Sequence, residues 1–88
     1  MKLLFCSKCQ DVFKLSTQEK RYCACRACWG VYVDDLYADY GGDTAIPLGF
    51  SNPSLARAIG RQPEKAALGE NFEAFVISKR CPTFKKRP

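Results

Sequence analysis

No histidine occurs anywhere in the 88 residues. That absence removes Ser-His-Asp and Cys-His catalytic pairs, and with them every mixed cysteine–histidine metal site. A glycine-rich phosphate loop is missing too. Long apolar runs are equally scarce, and nothing approaches the roughly 18 residues of a membrane span. Met1-Lys2-Leu3-Leu4-Phe5 places only three apolar residues between Lys2 and Cys6, too few for the apolar part of a signal peptide. The chain is expected to be cytoplasmic, away from membranes and without enzymatic activity. In a reducing compartment its thiols stay free or bind metal, so a disulfide scaffold has only the even cysteine count in its favour.

Cysteine is what the chain has in excess. A chain this short buries too little apolar surface to offset its conformational entropy comfortably, and it needs a staple. Six cysteines are present, at positions 6, 9, 23, 25, 28 and 81. Two residues between Cys6 and Cys9 let both thiolates face one tetrahedral ion, and a second such arm completes a structural zinc site. The second arm is overdetermined: Cys25 pairs with Cys28 as CxxC or with Cys23 as CxC. Four of the five thiolates would close the coordination shell of a single structural Zn2+ and leave no position for a substrate. An iron–sulfur cluster uses the same thiolates. A redox role for Cys6-Ser-Lys-Cys9 lacks the alternating strands and helices of a thioredoxin-like setting. Isolated Cys81 reads as a buried free thiol.

The formal charge of +5 is unevenly distributed. Residues 1–78 hold nine basic and nine acidic residues, and the whole excess lies in Lys79, Arg80, Lys85, Lys86 and Arg87. The expected organisation is a single zinc-stabilised domain over residues 1–78 and a flexible basic tail over 79–88. Because nucleic-acid affinity draws mainly on phosphate neutralisation, a neutral body points first to a protein partner. The tail and exposed aromatics keep DNA or RNA binding as the alternative.

Leu3–Phe5 and Val12–Leu15 read as strands around the first cysteine turn. Val31–Tyr40 reads as one or two more. Thr44–Phe50 is expected at a sheet edge, because Pro47 cannot donate a ladder hydrogen bond. A helix near residues 53–60 follows, capped by Ser51 or Asn52, with Pro53 in its first turn and Leu55 and Ile59 as its apolar face. Pro63–Leu68 suggests a further helical turn, and Phe72–Ser78 a last strand. The predicted fold is α+β: a zinc-ribbon-like arm joined to a small antiparallel sheet with one short helix packed on it.

Asp34, Asp35, Asp39 and Asp43 lack the ligand spacing of a calcium loop and read as a solvated acidic hairpin. Trp29, Tyr32, Tyr37 and Tyr40 fall close together. The core is their default place; any that are exposed can anchor a protein or stack on bases. Arg57 and Arg61, four apart, read as a solvated helix face that can also meet phosphate.

The pattern Phe5-Cys-Ser-Lys-Cys9-Gln-Asp11-Val-Phe-Lys-Leu15, Cys23-Ala-Cys25, Gly30-Val-Tyr32-Val-Asp34, Pro47-Leu-Gly-Phe50-Ser-Asn52 and Phe72-Glu-Ala-Phe-Val-Ile77 resembles a group of small zinc-ribbon-like proteins of bacteria and phages. In that group the second arm is a CxC followed by glycine. The resemblance therefore implies Cys6, Cys9, Cys23 and Cys25 as ligands, with Cys28 as substitute. Arg26 stands where the group has glycine. A regulator or inhibitor that binds a larger protein complex is the expected role.

Overall fold

The computed structural model describes residues 1–88. In chain order the elements are β1 (Lys2–Cys6), β2 (Val12–Lys14), β3 (Arg21–Tyr22), β4 (Trp29–Tyr32), β5 (Ala38–Gly41), β6 (Ala45–Phe50), α1 (Asn52–Gly60), β7 (Ala74–Val76) and β8 (Phe84–Lys86). The strands form two sheets of four, ordered β2-β1-β6-β7 and β3-β4-β5-β8. All pairings are antiparallel except β5 with β8, which is parallel. The fold is α+β, built on two sheets rather than the one small sheet the sequence suggested.

The sheets stack face to face. Leu4, Cys6, Phe13 and Leu15 on one side meet Cys23, Cys28, Ala38, Tyr40 and Phe84 on the other in one buried cluster. Gly30 in β4 lets the layers approach closely, since a Cβ there would lie 2.6 Å from the Leu4 Cδ1 atom. Tyr32 reaches across as well: its backbone N–H donates to the Ser16 carbonyl, and its hydroxyl accepts from the Lys2 backbone N–H.

Several expectations need correction. β6 is not an edge strand: it lies between β1 and β7. Pro47 is tolerated there because its carbonyl, and with it the nitrogen that lacks a proton, faces the end of the β7 ladder. The last registered pair is Leu48 with Val76, and just beyond it the Ile77 N–H donates to the Pro47 carbonyl at 2.9 Å. The missing donor therefore falls where the ladder has already stopped.

Residues beyond Pro82 are not a free tail. Phe84–Lys86 pair with Ala38–Tyr40, and Phe84 is fully buried. A single large aromatic among polar neighbours carries too weak a period to announce a strand, yet burying it is enough to dock one.

The helix forms as the capping signals require, with the Ser51 hydroxyl accepting from the Ser54 N–H and Pro53 in its first turn. Its buried residues are Ser54 and Ala58, however, and Ile59 projects into solvent, 64% exposed. Two hydrogen bonds fix its N-terminal turn to the start of β7: the Glu73 N–H donates to the Ser54 hydroxyl, and the Ser51 N–H to the Glu73 carbonyl. No helical turn forms over Pro63–Leu68, where the backbone only bends. Every residue from 59 to 76 is exposed. The molecule is correspondingly long, 47 × 26 × 24 Å, with a radius of gyration of 14.4 Å, where a compact chain of this length gives about 12 Å. No helix is long and apolar enough to cross a membrane.

Candidate metal centre

Cys6 ends β1 and Cys9 lies in the turn to β2, while Cys23 and Cys25 follow β3 directly. The two pairs therefore come from different sheets. The structure brings their four sulfurs together, all within 4.8 Å of one another. Cys25 Sγ lies 3.7 Å from Cys6 Sγ and 3.6 Å from Cys23 Sγ. A Zn–S bond of about 2.3 Å in a regular tetrahedron sets sulfurs about 3.8 Å apart. These four cysteines are thus positioned for one metal ion, and the two distances from Cys25 match those of a tetrahedral centre. A cluster would need more room, because it places its thiolates on different irons.

Both turns are shaped by backbone hydrogen bonds. In the first, the Gln10 N–H donates to the Cys6 carbonyl at 2.7 Å. In the second, the Arg26 N–H donates to the Cys23 carbonyl at 2.9 Å. Each turn then places the residue after its last cysteine in the left-handed region, with φ of 62° at both Gln10 and Arg26. That conformation explains why glycine suits the position occupied by Arg26.

Thiolate chemistry is prepared before any ion arrives. The Thr44 hydroxyl, 3.4 Å from Cys6 Sγ, followed by the backbone N–H groups of Cys9 and Lys8, holds the Cys6 thiol down at about 5. The backbone N–H of Ala27 favours the Cys25 thiolate, but desolvation and the crowding of Cys23, Cys9 and Cys6 outweigh it and push Cys25 up to about 11. Burial opposes ionisation of Cys23, and hydrogen bonds from Cys28 overcome that and lower it. Thiols that repel one another as anions require a cation to ionise together.

Cys28 stands outside the quartet. It is fully buried, its backbone N–H points at Cys23 Sγ at 3.4 Å, and burial pushes its own thiol up. Cys81 lies against the core with its thiol 3.4 Å from the Thr83 hydroxyl, which lowers it.

Two positioning residues escaped the sequence reading. The Asp11 carboxylate accepts from the Ala24 N–H at 2.9 Å, tying the first turn to the second. Thr44 holds Cys6 through its hydroxyl and accepts the Ser7 N–H on its carbonyl. Asp11 lies two residues beyond Cys9 and was part of the pattern noted above; Thr44, 35 residues from Cys9, carried no signal.

The acidic hairpin and the basic C-terminal residues meet each other. Asp39 pairs with Arg87 at 3.2 Å and Asp43 with Lys86 at 3.9 Å. Asp34 instead closes a turn, its carboxylate accepting from the Tyr37 and Leu36 N–H groups, which lower its pKa. The Arg57 and Arg61 side chains line a cleft with Asn71, Phe72 and Glu73 beside the helix.

No protein family, curated protein or solved structure matches this chain.

Proposed function

We propose that this chain is a zinc-held protein-interaction module, a regulator or inhibitor that works by covering a surface of a larger protein. The observation that carries the zinc is the closed quartet of Cys6, Cys9, Cys23 and Cys25. Four thiolates and no histidine are the donor set of a structural zinc, and they leave no coordination position open for substrate. Zinc is redox-inert and closes such a site without the electron traffic that iron would bring.

A protein partner is supported by the far end of the molecule. Ile59, Leu68, Phe72, Phe75 and Val76 are all exposed within one stretch that buries none of its residues. Phe72 stands edge-on to Phe50 and the Phe75 ring covers Gly49, so these two half-open rings share the β6 side of the segment, and exposed apolar groups of this kind suit an interaction site. The aromatic members are the residue type that anchors interfaces.

Two measurements test the reading. Native against denaturing mass spectrometry is expected to show one zinc per chain; a folded protein without metal overturns the zinc assignment. A tagged pull-down from cell lysate, run with nuclease and at high salt, is expected to recover a defined protein that is lost when Phe72 and Phe75 are changed to Ser. Equal recovery by that variant, with its zinc content intact, removes the proposed surface.

A further inference from the structure

The outer face of the second sheet carries an arrangement that neither the metal nor the protein-binding reading uses. Tyr22 and Trp29 are directly paired across β3 and β4, and Trp29 is paired in turn with Gly41 of β5. Directly paired residues share a face of a sheet. Their inward-facing neighbours are Gly30 and Tyr40, so Tyr22 and Trp29 face outward. The Trp29 indole lies flat over Gly41, where a Cβ would come within 2.4 Å of its Nε1. Two outward-facing rings therefore stand on neighbouring strands, the Trp29 indole leaning over β5 and Tyr22, 39% exposed, at the β3 edge.

Cations sit on both rings. The Lys20 Nζ is 4.2 Å from the Trp29 ring centroid, and the Arg26 Cζ is 4.2 Å from that of Tyr22. The next row of the same face pairs Val31 with Asp39 and Asp39 with Lys85. Arg87 is bonded to Asp39, the one acid of these two rows. The face therefore offers Lys20, Arg26, Lys85 and Arg87 against the single carboxylate of Asp39, with Lys20 and Arg26 seated on its two aromatic rings.

We infer that this face binds single-stranded nucleic acid, with bases stacking on Tyr22 and Trp29 and phosphates meeting Lys20, Arg26 and Lys85. Flat rings interleaved with basic side chains suit a strand whose bases are free to stack. An acidic peptide would engage the cations and leave the rings unused. Exchange is favourable, because an exposed cation–ring contact is weak and its loss costs little. A stacked base returns more than that contact, and the released cation moves to a phosphate. Of the charge that the sequence placed in a free tail, Lys85 thus acts through a sheet face, while Arg87 pairs with Asp39 and Lys86 turns towards Asp43. β3 packs beside β2, at the opposite side of the first sheet from β7, so Tyr22 and the proposed protein surface are separate.

Trp29 is the only tryptophan, and its fluorescence reports the site directly. Metal-loaded protein at low salt is titrated with a 12-nucleotide oligo-dT, the same length of oligo-U, a DNA duplex, and polyaspartate. Quenching by either single strand, weakening as salt rises, is expected. Tyr22→Ala is expected to weaken it about 5-fold or more, from the loss of one stacked base, while Tyr22→Phe retains it. Zinc content and circular dichroism of each variant, unchanged from the parent, show that the fold and metal site persist. No quenching by either oligonucleotide overturns the inference. So does equal quenching by polyaspartate, preference for the duplex, or undiminished binding by Tyr22→Ala. None of these outcomes touches the zinc stoichiometry or the Phe72/Phe75 surface.

Discussion

Phe84 stands edge-on to Tyr40, their ring centroids 4.9 Å apart and their planes at 72°. Phe84 comes from the last strand and Tyr40 from the strand it joins, so this contact seats the C-terminal residues in the core.

Phe84→Ala is accordingly expected to destabilise the protein by about 3–5 kcal/mol, the usual cost of emptying a buried phenylalanine site. Chemical denaturation followed by circular dichroism measures it. Deleting residues 79–88 is expected to be at least as damaging, because it also removes the β5 pairing and leaves Ala38 and Tyr40 uncovered. A truncated chain as stable as the parent would contradict the role given to β8.

The cysteines are expected to separate into two classes. Cys9→Ala or Cys25→Ala abolishes stoichiometric metal, since three thiolates remain. Cys28→Ala keeps one metal per chain and loses only packing, while Cys81→Ser is tolerated. Metal content after dialysis against a mild chelator distinguishes them. A Cys28→Ala protein that lost its metal would move Cys28 into the ligand set.

Backbone conformation supplies an opposed pair of variants. Gln10 holds φ of 62° without being glycine, which costs an L-residue roughly 1–2 kcal/mol. Glycine relieves that cost in the fold, and the more flexible unfolded chain it creates takes part of the gain back. Gln10→Gly is expected to stabilise by up to about 1 kcal/mol, or about 4–8 °C in melting temperature. Gly42→Ala is expected to do the reverse. Its φ is +104°, and a Cβ would lie 2.4 Å from the Ala27 carbonyl oxygen and 2.8 Å from the Cys28 Cα, backbone that packs against the second cysteine turn.

Acid is expected to release the metal. Cys6 is lowered to about 5 in the fold, against about 8.5 for a free thiol. A depressed acid contributes stability that is full above the unfolded value and is lost as pH falls through the folded one. Protons compete for the other three ligands in the same direction. Metal retention, followed with a colorimetric zinc indicator, is expected to be full above about pH 8.5 and to be lost progressively as pH falls towards 5. Retention independent of pH down to 4 would contradict thiolate ligation.

Much of the metal site was legible because its signal is local. Two short cysteine spacings, the lack of histidine and the small chain led to four of the five thiolates at positions 6, 9, 23, 25 and 28, and left open which one is spare. The capped helix was legible for the same reason, since Ser51 and Pro53 act within one turn. What stayed hidden depends on distant partners. Pro47 marks an edge in isolation, and only the place where β7 stops makes it acceptable inside a sheet. Phe84 gives no periodic pattern, so its strand is visible only once β5 offers a vacant side. Ile59 continues the apolar spacing from Leu55, yet nothing packs over it, and the helix is moored through Ser51 and Ser54 to Glu73.

The clasp of thiolates joins the two sheets at one end only. Opening free energy is therefore graded along the long axis: highest around Cys6 and Cys23, and close to zero across residues 62–71, which are exposed and belong to no helix or strand. Amide protons in that segment will exchange fast, and proteases will cut there first. A partner that settles on it must pay for holding it still, so the complex will form with a larger entropic penalty than its contact area suggests and will protect the segment from both exchange and cleavage.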